Sequence, residues 1–569
     1  MDSSKKTSYF LRKSPLLRVL VAVLFISIIL FSFYFISFTT RRIPQIDSIV
    51  PPVGSPGDVI VINGKNFGAT RDMSYVEIAG TRMTASSYIS WTDSSIKLVL
   101  PSNVKDGLVY VGIKDMRSNP SLFANEVDIP VPVTTVKQIS RPVILKLSSL
   151  KVNVGDLLTI YGNNFGDARN NSRVLFTIDY NRRLRDSNVK NISYFTENMV
   201  CANEDEFDYI SWSNTEISVI VPDGAFSGVV MVDTGKQRSE PMELTISESA
   251  GAKTFINKKI YLLTYSADVA DVVCDGLSTL TLRAPIPFET AAQPRVETIE
   301  VTPIPSLMKY QHDIIHQITK TKSSTIKNVM NYTFVLPVYE INTNVIAERA
   351  GNYSKADSRP LYDLGTAADS LIPAKNADVI ALASQITGKE KNAYKKAKLI
   401  YEYMISNFTL LKKMRKGGAD PKDLVSKKRG DAYDFAVIYT ALLRASGIPC
   451  LMDAGVLIGQ DLTTQPHWWN EFYLENFGWV PVDVSLGAGL EYKSWGDIEI
   501  LPKEYYFGNL DSHRVLFSRG LNELKPFSVD NKIVQQPRSF ALQSIWEEAT
   551  SNVSKYSSYW STPVVKGVY

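Results

Sequence analysis

A long internal repeat constrains the fold of this chain more than any other feature. The segment GDVIVINGKNFG at 57–68 returns as GDLLTIYGNNFG at 155–166, and YISWTDSSIKLVLP at 88–101 returns as YISWSNTEISVIVP at 209–222. Apolar residues alternate with polar ones between turn residues, which is typical of antiparallel strands with one buried face. The repeat therefore predicts two small β-sandwiches, the second with a polar insertion around 177–208 that we expect to be an elaborated loop.

Both copies resemble a known family of immunoglobulin-like modules. The opening Pro51-Pro52-x-Gly54-x-Pro56-Gly57-Asp58, the INGKNFG turn and the closing VYVGIKDMRSN are similar to IPT/TIG domains, which occur in cell-surface receptors, bacterial surface proteins and some transcription factors. The resemblance covers about 43–135 and 141–249. Because a fold of this kind does not choose a function, the modules could space the next domain from a membrane or bind a ligand through loops. We favour the spacer.

The N-terminal segment predicts a membrane anchor. Residues 19–38, VLVAVLFISIILFSFYFISF, carry no charge and are long enough to cross the hydrocarbon as a helix. Basic residues are concentrated before the run, so residues 1–18 are expected in the cytoplasm and the bulk of the chain in the periplasm or outside the cell. A cleaved signal peptide is the alternative, but the run is long and lacks a small-x-small cleavage site.

Composition limits the function classes. A chain of 569 residues implies several domains. Its 62 Lys and Arg against 58 Asp and Glu leave a formal charge of +4, which supplies no basic face for nucleic acid. Its three cysteines show no CxxC spacing, so neither a disulfide framework nor a thiolate metal site is predicted. No cofactor is implied.

Residues 255–350 contain further strand-like runs and predict a β-rich domain. His312 and His316 lie within it, four residues apart. In a helix this spacing would suit a metal, but an extended chain separates the two residues by ~13 Å. No metal site is therefore expected.

Beyond 357 the periodicity becomes helical. One helix face is predicted from Ala393, Ala397, Ile400, Tyr401 and Met404. A second helix is predicted after Asp431, a plausible N-cap, with a stripe that consists of Phe435, Ile438, Tyr439, Leu442 and Leu443.

This region resembles the transglutaminase-like superfamily, whose fold is related to papain-like cysteine proteases. The family has Gly-x-Cys at a helix N-terminus, then Leu-Leu-Arg-x-x-Gly-Ile-Pro, His-x-Trp-x-Glu and Gly-Trp-x-x-x-Asp. Here the corresponding segments are GDA at 430–432, LLRASGIP at 442–449, HWWNE at 467–471 and GWVPVD at 478–483. The resemblance covers about 355–525 and implies an α+β core, with 255–350 as the β-domain that often precedes such cores.

The resemblance also implies a cysteine nucleophile, a histidine and an aspartate. A thiol at a helix N-terminus ionises more easily, the histidine pairs with it, and the aspartate holds the imidazole tautomer. His467 and Asp483 occupy the second and third places, and we expect them on neighbouring strands. Ala432 occupies the nucleophile's place, and its methyl group can neither attack nor ionise.

No neighbouring residue is a good replacement for the thiol. Cys450 lies at the far end of the helix, ~27 Å along its axis from Ala432. Asp431, Tyr433 and Asp434 flank the gap but do not suit thiol-type chemistry. Trp468, Trp469 and Trp479 could line a binding groove or fill the core, and His467 could be a satisfied core histidine.

Three functions remain open. The first is a pseudoenzyme that binds a protein, peptide or glycan through an open groove lined by His467 and tryptophans. The second is an active hydrolase or acyl-transferase with another nucleophile, and the third is a structural surface or assembly protein. The tail at 526–569 packs back on the core or hangs free, and it carries a short helical stripe of Phe540, Ile545, Trp546 and Ala549.

Overall fold

The computed structural model describes residues 43–569 except 102, 115, 126–140, 184–195, 351–352, 354–359, 416–420, 521–523, 527–530 and 537, and also residues 15, 19, 23–30 and 32. Half of the predicted membrane span, residues 20–22, 31 and 33–38, therefore lies outside the described residues. Among the described residues, no helix is both long and apolar enough to cross a membrane. The chain forms two compact units, residues 1–134 and 135–569.

The first unit contains an immunoglobulin-like sandwich. Its strands are β1 (Gln45–Val50), β2 (Val53–Gly54), β3 (Val59–Lys65), β4 (Tyr75–Ile78), β5 (Thr81–Arg82), β6 (Tyr88–Trp91), β7 (Ser95–Val99), β8 (Gly107–Ile113), β9 (Met116–Arg117) and β10 (Ser121–Asn125), with a 3-10 turn at Ala85–Ser87. One sheet has the order β1-β3-β7-β6, and the other has β2-β10-β8-β4-β5 with β9 on β8. The alternating apolar residues of the repeat, such as Ile60, Ile62, Ile96 and Leu98, form the core.

The second unit begins with a sandwich of the same topology. Its strands are β11 (Val143–Leu147), β12 (Lys151–Val152), β13 (Leu157–Asn163), β14 (Arg173–Thr177), β15 (Met199–Cys201), β16 (Tyr209–Trp212), β17 (Glu216–Ile220), β18 (Gly228–Asp233) and β19 (Met242–Ile246). The sheets have the orders β11-β13-β17-β16 and β12-β19-β18-β14-β15. The insertion that was expected to be a loop also supplies the edge strand β15.

A β-rich domain follows, as predicted. Its strands are β20 (Gly251–Cys274), β21 (Ser278–Pro285), β22 (Glu297–Thr302), β23 (Leu307–Tyr310), β24 (Asp313–Lys320) and β25 (Asn328–Val345). The long strands β20 and β25 pair along nearly their whole length, and β22 pairs with the other edge of β25. Because apolar residues alternate along β20 and β25, one face of this sheet is buried against the second sheet of the domain.

The transglutaminase-like core combines helices with one antiparallel sheet. The helices are α1 (Pro360–Thr366), α2 (Ala377–Thr387), α3 (Ala393–Asn407), α4 (Pro421–Lys427), α5 (Ala432–Ala445), α6 (Val484–Gly487) and α7 (Pro502–Tyr505). The strands are β26 (Thr409–Leu410), β27 (Arg429–Gly430), β28 (Cys450–Ile458), β29 (Thr464–Leu474), β30 (Gly478–Val482) and β31 (Arg514–Arg519). The main sheet has the order β30-β29-β28-β31.

The predicted faces of α3 and α5 are buried as expected. All five residues of the predicted α3 face lie in the core. The helix α5 is buried on every side because it packs against α2, α3 and β29. Burying each leucine of such a helix contributes roughly 1.5–3 kcal/mol.

The C-terminal segment packs back onto the β-rich domain. It forms β32 (Lys532–Val534), β33 (Glu547–Ala549), β34 (Val553–Trp560) and β35 (Val564–Val568). The strands β34 and β35 pair with β20, and β33 pairs with β21. The helical stripe predicted at 540–549 is wrong: its apolar residues are buried, but the chain bends irregularly through 540–546 and then forms β33, which pairs with β21.

Candidate active-site remnant

The N-terminus of α5 is closed by reciprocal capping. The Asp431 carboxylate accepts from the backbone N–H of Asp434, and the Asp434 carboxylate accepts from the N–H of Asp431. Gly430 precedes this cap because a Cβ there would lie 2.5 Å from the Asp434 side chain. The pattern Gly-Asp-x-x-Asp therefore folds locally into a capping box of aspartates.

Two arginines bind the same carboxylates. Arg538 donates to both Asp431 oxygens and to Asp434 Oδ1, each at 2.7 Å, and its guanidinium lies 4.4 Å from the centre of the Tyr433 ring. Arg415 donates to Asp434 through Nε at 3.0 Å. Burial acts to raise the pKa of Asp434, but the bonds from Arg538, the Asp431 N–H and Arg415 lower it below its ordinary value. The Asp434 carboxylate is thus held ionised at the helix end.

Ala432 is the first residue of α5 and is buried among these groups. The next residue, Tyr433, packs edge-on against Trp468 with ring centroids 5.2 Å apart. Trp468 directly follows His467 on β29. The helix end that carries Ala432 therefore lies against the strand that carries the histidine.

The structure brings His467 and Asp483 together. The strands β29 and β30 form a hairpin, and Asp483 directly follows β30. His467 Nε2 lies 2.6 Å from Asp483 Oδ2, and the other oxygen, Oδ1, accepts from Ser485 Oγ and from the Leu486 N–H, each at 3.0 Å. Asp483 is thus also the N-cap of α6.

A buried arginine completes the environment of Asp483. Arg514 Nη1 donates to Asp483 Oδ2 at 3.0 Å, and Nη2 donates to Asp511 Oδ2 at 2.9 Å. Tyr506 also donates to Asp511, at 2.9 Å. Burial acts to raise the pKa of Asp483, but the adjacent His467 and Arg514 and the bond from Leu486 lower it well below its usual range. An ionised carboxylate can only accept, so His467 Nε2 carries a proton.

The other ring nitrogen of His467, Nδ1, does not bond to Asp483. Nδ1 is buried and has no hydrogen-bond partner among the described residues. With Nε2 held by Asp483, Nδ1 is the nitrogen that could exchange a proton with a nucleophile. No cysteine supplies one: Cys450 is fully buried, its thiol donates weakly to Thr440 at 3.9 Å, and burial raises its pKa to about 12. Cys201 lies on β15 and Cys274 on β20, in other domains.

The three tryptophans are core residues. Trp468, Trp469 and Trp479 are at most 3% exposed, and His467 is completely buried. Trp469 lies between His467, with ring centroids 6.1 Å apart, and Arg514, 5.0 Å from the indole. The open groove that we expected along His467 and these tryptophans is therefore not present in the described part of the chain. Their side chains pack inward because the strands carrying them are covered on both faces.

The two histidines of the β-rich domain have separate partners. His316 lies in β24, as the extended pattern predicted, and its ring bonds to the Pro303 carbonyl at 2.9 Å and to the Tyr332 hydroxyl at 3.0 Å. Burial lowers its pKa to about 4. His312 lies 3.4 Å from Asp205 instead. Across the described residues, no group of three or more potential ligand side chains could hold a metal ion.

Several residues of the site were not found from the sequence. Ser485 and the N-cap role of Asp483 could have been read from the local Asp-x-Ser-Leu pattern. Arg514 lies 31 residues from Asp483, and Arg538 lies 107 residues from Asp431. No local sequence signal connects residues so far apart.

Comparison with known proteins identifies two kinds of domain. Residues 380–484 match the transglutaminase-like superfamily, and residues 44–124 match the IPT/TIG domain. The chain therefore contains a transglutaminase-like domain and an IPT/TIG domain, and the sandwich at 141–249 repeats the topology of the latter.

Individual relatives cover only parts of this chain. A Haemophilus influenzae protein without an assigned function is 28% identical over 173 residues, which are 26% of this chain and 46% of that protein. A cyclomaltodextrin glucanotransferase of Paenibacillus macerans is 30% identical over 125 residues, 22% of this chain and 16% of the enzyme. The chain thus spans less than half the length of either relative.

Two solved structures match parts of this chain. A proposed cysteine protease from Cytophaga hutchinsonii is 14% identical with a TM-score of 0.35, and the match covers 56% of this chain and 91% of that one. The periplasmic domain of TgpA from Pseudomonas aeruginosa is 12% identical with a TM-score of 0.24, covering 40% and 86%.

Proposed function

We propose that this chain is a transglutaminase-like pseudoenzyme that acts by binding a partner and not by acyl transfer. The observation that supports the proposal is the alanine at the first position of α5, where the family's motif places the nucleophile, beside a retained and buried His467–Asp483 pair. The pair has a structural use, since Asp483 caps α6 and joins β29 and β30 to Arg514. Selection for stability would keep it without catalysis.

The burial of His467 and the three tryptophans affects where a partner binds. Because His467 and the three tryptophans are enclosed in the described residues, the partner surface lies elsewhere on the molecule. The same closure favours the second candidate, a structural assembly element with no separate ligand. A binding site outside the old catalytic centre distinguishes these two candidates.

The catalytic part of the proposal is tested by restoring the thiol. The full chain, Ala432→Cys and Ala432→Ser are assayed with a labelled amine donor and a glutamine substrate, and with a peptide panel. We expect activity, if any, in Ala432→Cys alone, because serine matches its size but forms no thiolate beside an imidazole. Turnover by the unaltered chain would contradict the proposal and reveal another nucleophile.

We also propose that residues 19–38 anchor the protein in a membrane, with residues 1–18 in the cytoplasm and the remaining domains in the periplasm or outside the cell. The support is the absence of charge in this run and the basic residues before it. The chain should remain in the membrane fraction after carbonate washing, and protease added from outside should cleave the domains. Recovery in the soluble fraction would contradict the anchor.

A further inference from the structure

A deep cleft separates the second immunoglobulin-like domain from the β-rich domain. Its volume is about 1070 Å³, and none of the residues of the remnant site lines it. One wall contains all three residues of β15, and the other contains Glu297 and Thr298 at the start of β22. Both strands are the terminal strands of their sheets. The cleft is thus bordered by the outer edges of two sheets, neither of which pairs with another described strand.

Within the described residues, the outer edge of β15 pairs with no other strand. The N–H of Ala202 donates to the Val174 carbonyl at 3.0 Å. Bonding alternates along an antiparallel pair, so Val200 is the next residue of β15 that bonds to β14. The N–H and C=O groups of Met199 and Cys201 therefore point away from β14. Such a row of unpaired groups is a template for another strand.

The floor of the cleft is aromatic. Tyr180 and Tyr339 stack with ring centroids 4.2 Å apart, and Phe255 packs edge-on against Tyr180 at 6.1 Å. Phe288 adds a further apolar side chain. These rings provide apolar contact area for side chains that point inward from an extended ligand.

The rim of the cleft carries both signs of charge. Exposed cations and exposed carboxylates both line it: Lys258, Arg295 and Lys309, and Glu197, Glu289 and Glu297. A rim with this balance does not favour a polyanion such as nucleic acid. It suits a ligand that presents mixed charges on one side.

We propose that this cleft binds an extended polypeptide segment of a partner protein, which adds as a strand to the edge of β15. Its alternate side chains would meet the aromatic floor and the charged rim, as the two-residue period of a strand requires. A segment of six residues would span ~20 Å. This inference rests on the proposed partner-binding function and supplies its site.

The test begins with a library of random ten-residue peptides selected on the full chain. Enriched peptides are expected to alternate apolar with charged residues and to slow alkylation of Cys201 by N-ethylmaleimide. Cys274, the last residue of β20, does not line the cleft and is the internal control. Because burial raises the pKa of the Cys201 thiol, alkylation is run at alkaline pH. Peptides that bind without protecting Cys201 would overturn the proposed site.

Backbone pairing is tested on the peptide itself. Each amide of an enriched peptide is N-methylated in turn, and we expect about tenfold weaker binding at every second position, because only alternate amides face the edge of β15. A scan with no such alternation would overturn strand addition, and this measurement does not depend on the folding of any variant.

A matched pair of variants tests the protein side. Met199→Pro removes the outward N–H, which an edge strand tolerates, whereas Met199→Ala keeps it. We expect about tenfold weaker peptide binding for Met199→Pro relative to Met199→Ala. Equal binding by the two would overturn the proposal.

The outcome is separable from that of the pseudoenzyme test. If no peptide is enriched, or if neutral oligosaccharides protect Cys201 and peptides do not, the peptide site is wrong while the result for Ala432→Cys is unaffected. If the unaltered chain turns over substrate, the pseudoenzyme is wrong whether or not peptides occupy the cleft.

Discussion

Two buried carboxyl groups of the core, Asp483 and Asp453, differ in whether cations bind them. Asp483 is held by His467 and Arg514 and is ionised. Asp453 has no hydrogen-bond partner for either oxygen among the described residues, and burial, together with the nearby Glu471, raises its pKa well above the ordinary value. Burial alone therefore does not decide the charge of a carboxyl group. The partners do.

Replacing Asp483 should destabilise the core strongly. In Asp483→Asn the buried Arg514 and His467 lose a charged partner, and we expect a loss of about 3–5 kcal/mol in the free energy of unfolding. Ser485→Ala removes a single bond to the same carboxylate and should cost about 1 kcal/mol. Urea unfolding measures both, and equal losses would mean that the charge of Asp483 contributes no more than one neutral hydrogen bond.

The low folded-state pKa of Asp483 has a consequence for acid stability. Its stabilising contribution is present above the unfolded value of about 3.9 and is lost as the pH falls through the folded value. The difference in unfolding free energy between Asp483→Asn and the unaltered chain should therefore be smallest in the most acidic samples that remain folded.

Asp453→Asn should have the opposite effect. Because the folded pKa of Asp453 is raised, its contribution is complete below the unfolded value of about 3.9 and is lost as the pH rises toward the folded value. An amide of the same size does not titrate, so the variant should gain stability over the unaltered chain between pH 5 and 8. Unfolding free energies of both chains across this pH range measure the gain. A difference between the two chains that does not change with pH would contradict the raised pKa of Asp453.

At the scale of elements, the N-terminus of α5 is held by a residue from the end of the chain. Arg538 is nearly fully buried and bonds to both carboxylates of the capping box, whereas Arg415 is partly exposed. This end of the helix is therefore organised by ion pairs where the family's motif would place a reactive thiol. The helix dipole and the arginine both stabilise the two aspartates.

Arg538→Ala should destabilise this end of α5. The change leaves two buried carboxylates without their main cation, and we expect a loss of about 3–5 kcal/mol. Arg415→Ala is the matched control and should cost less than about 1 kcal/mol because its partner bond is partly solvated. Hydrogen exchange in the first turn of α5 should rise in Arg538→Ala only, and similar exchange in both variants would contradict the assigned role.

At the scale of the second unit, polar bonds join the immunoglobulin-like domain to the core. Glu206 accepts from the indole N–H of Trp479 at 2.8 Å and pairs with Arg519. Asp223 pairs with Lys253 at 2.5 Å and accepts from the Trp479 N–H at 3.1 Å. Trp479, which we considered for a ligand groove, is thus a residue of the joint between domains.

Glu206→Gln should weaken this joint. The amide retains the shape but loses the charge opposite Arg519, and we expect a loss of about 1.5–3 kcal/mol with earlier melting of the immunoglobulin-like domain. Glu204 lies two residues before Glu206 and forms an exposed pair with Arg169. Glu204→Gln should therefore leave the melting of the immunoglobulin-like domain unchanged. Calorimetry resolves the two cases, and identical traces would mean that the joint does not depend on Glu206.

Much of the fold could be predicted because its signals are local. The repeat predicted two sandwiches, the periodicity at 393–404 predicted the buried face of α3, and Asp431 was recognised as an N-cap. The segment at 540–549 was misread because its apolar spacing matched a helix while its burial comes from contacts with other strands, such as that of Phe540 with Tyr265 of β20. The bonds of Arg514 and Arg538 were missed for a similar reason.

The sequence by itself determined that alanine stands at 432, where the family's motif has cysteine, since residue type and the order of the motifs do not depend on packing. It also determined that the two repeats form β-sandwiches, because strand period and turn residues act over a few neighbouring positions. Only the tertiary structure decided that His467 and the tryptophans are enclosed, that Arg538 holds the end of α5, and that the terminal strands of two sheets border one cleft. These features arise from contacts between residues far apart in the chain, where local propensity carries no information.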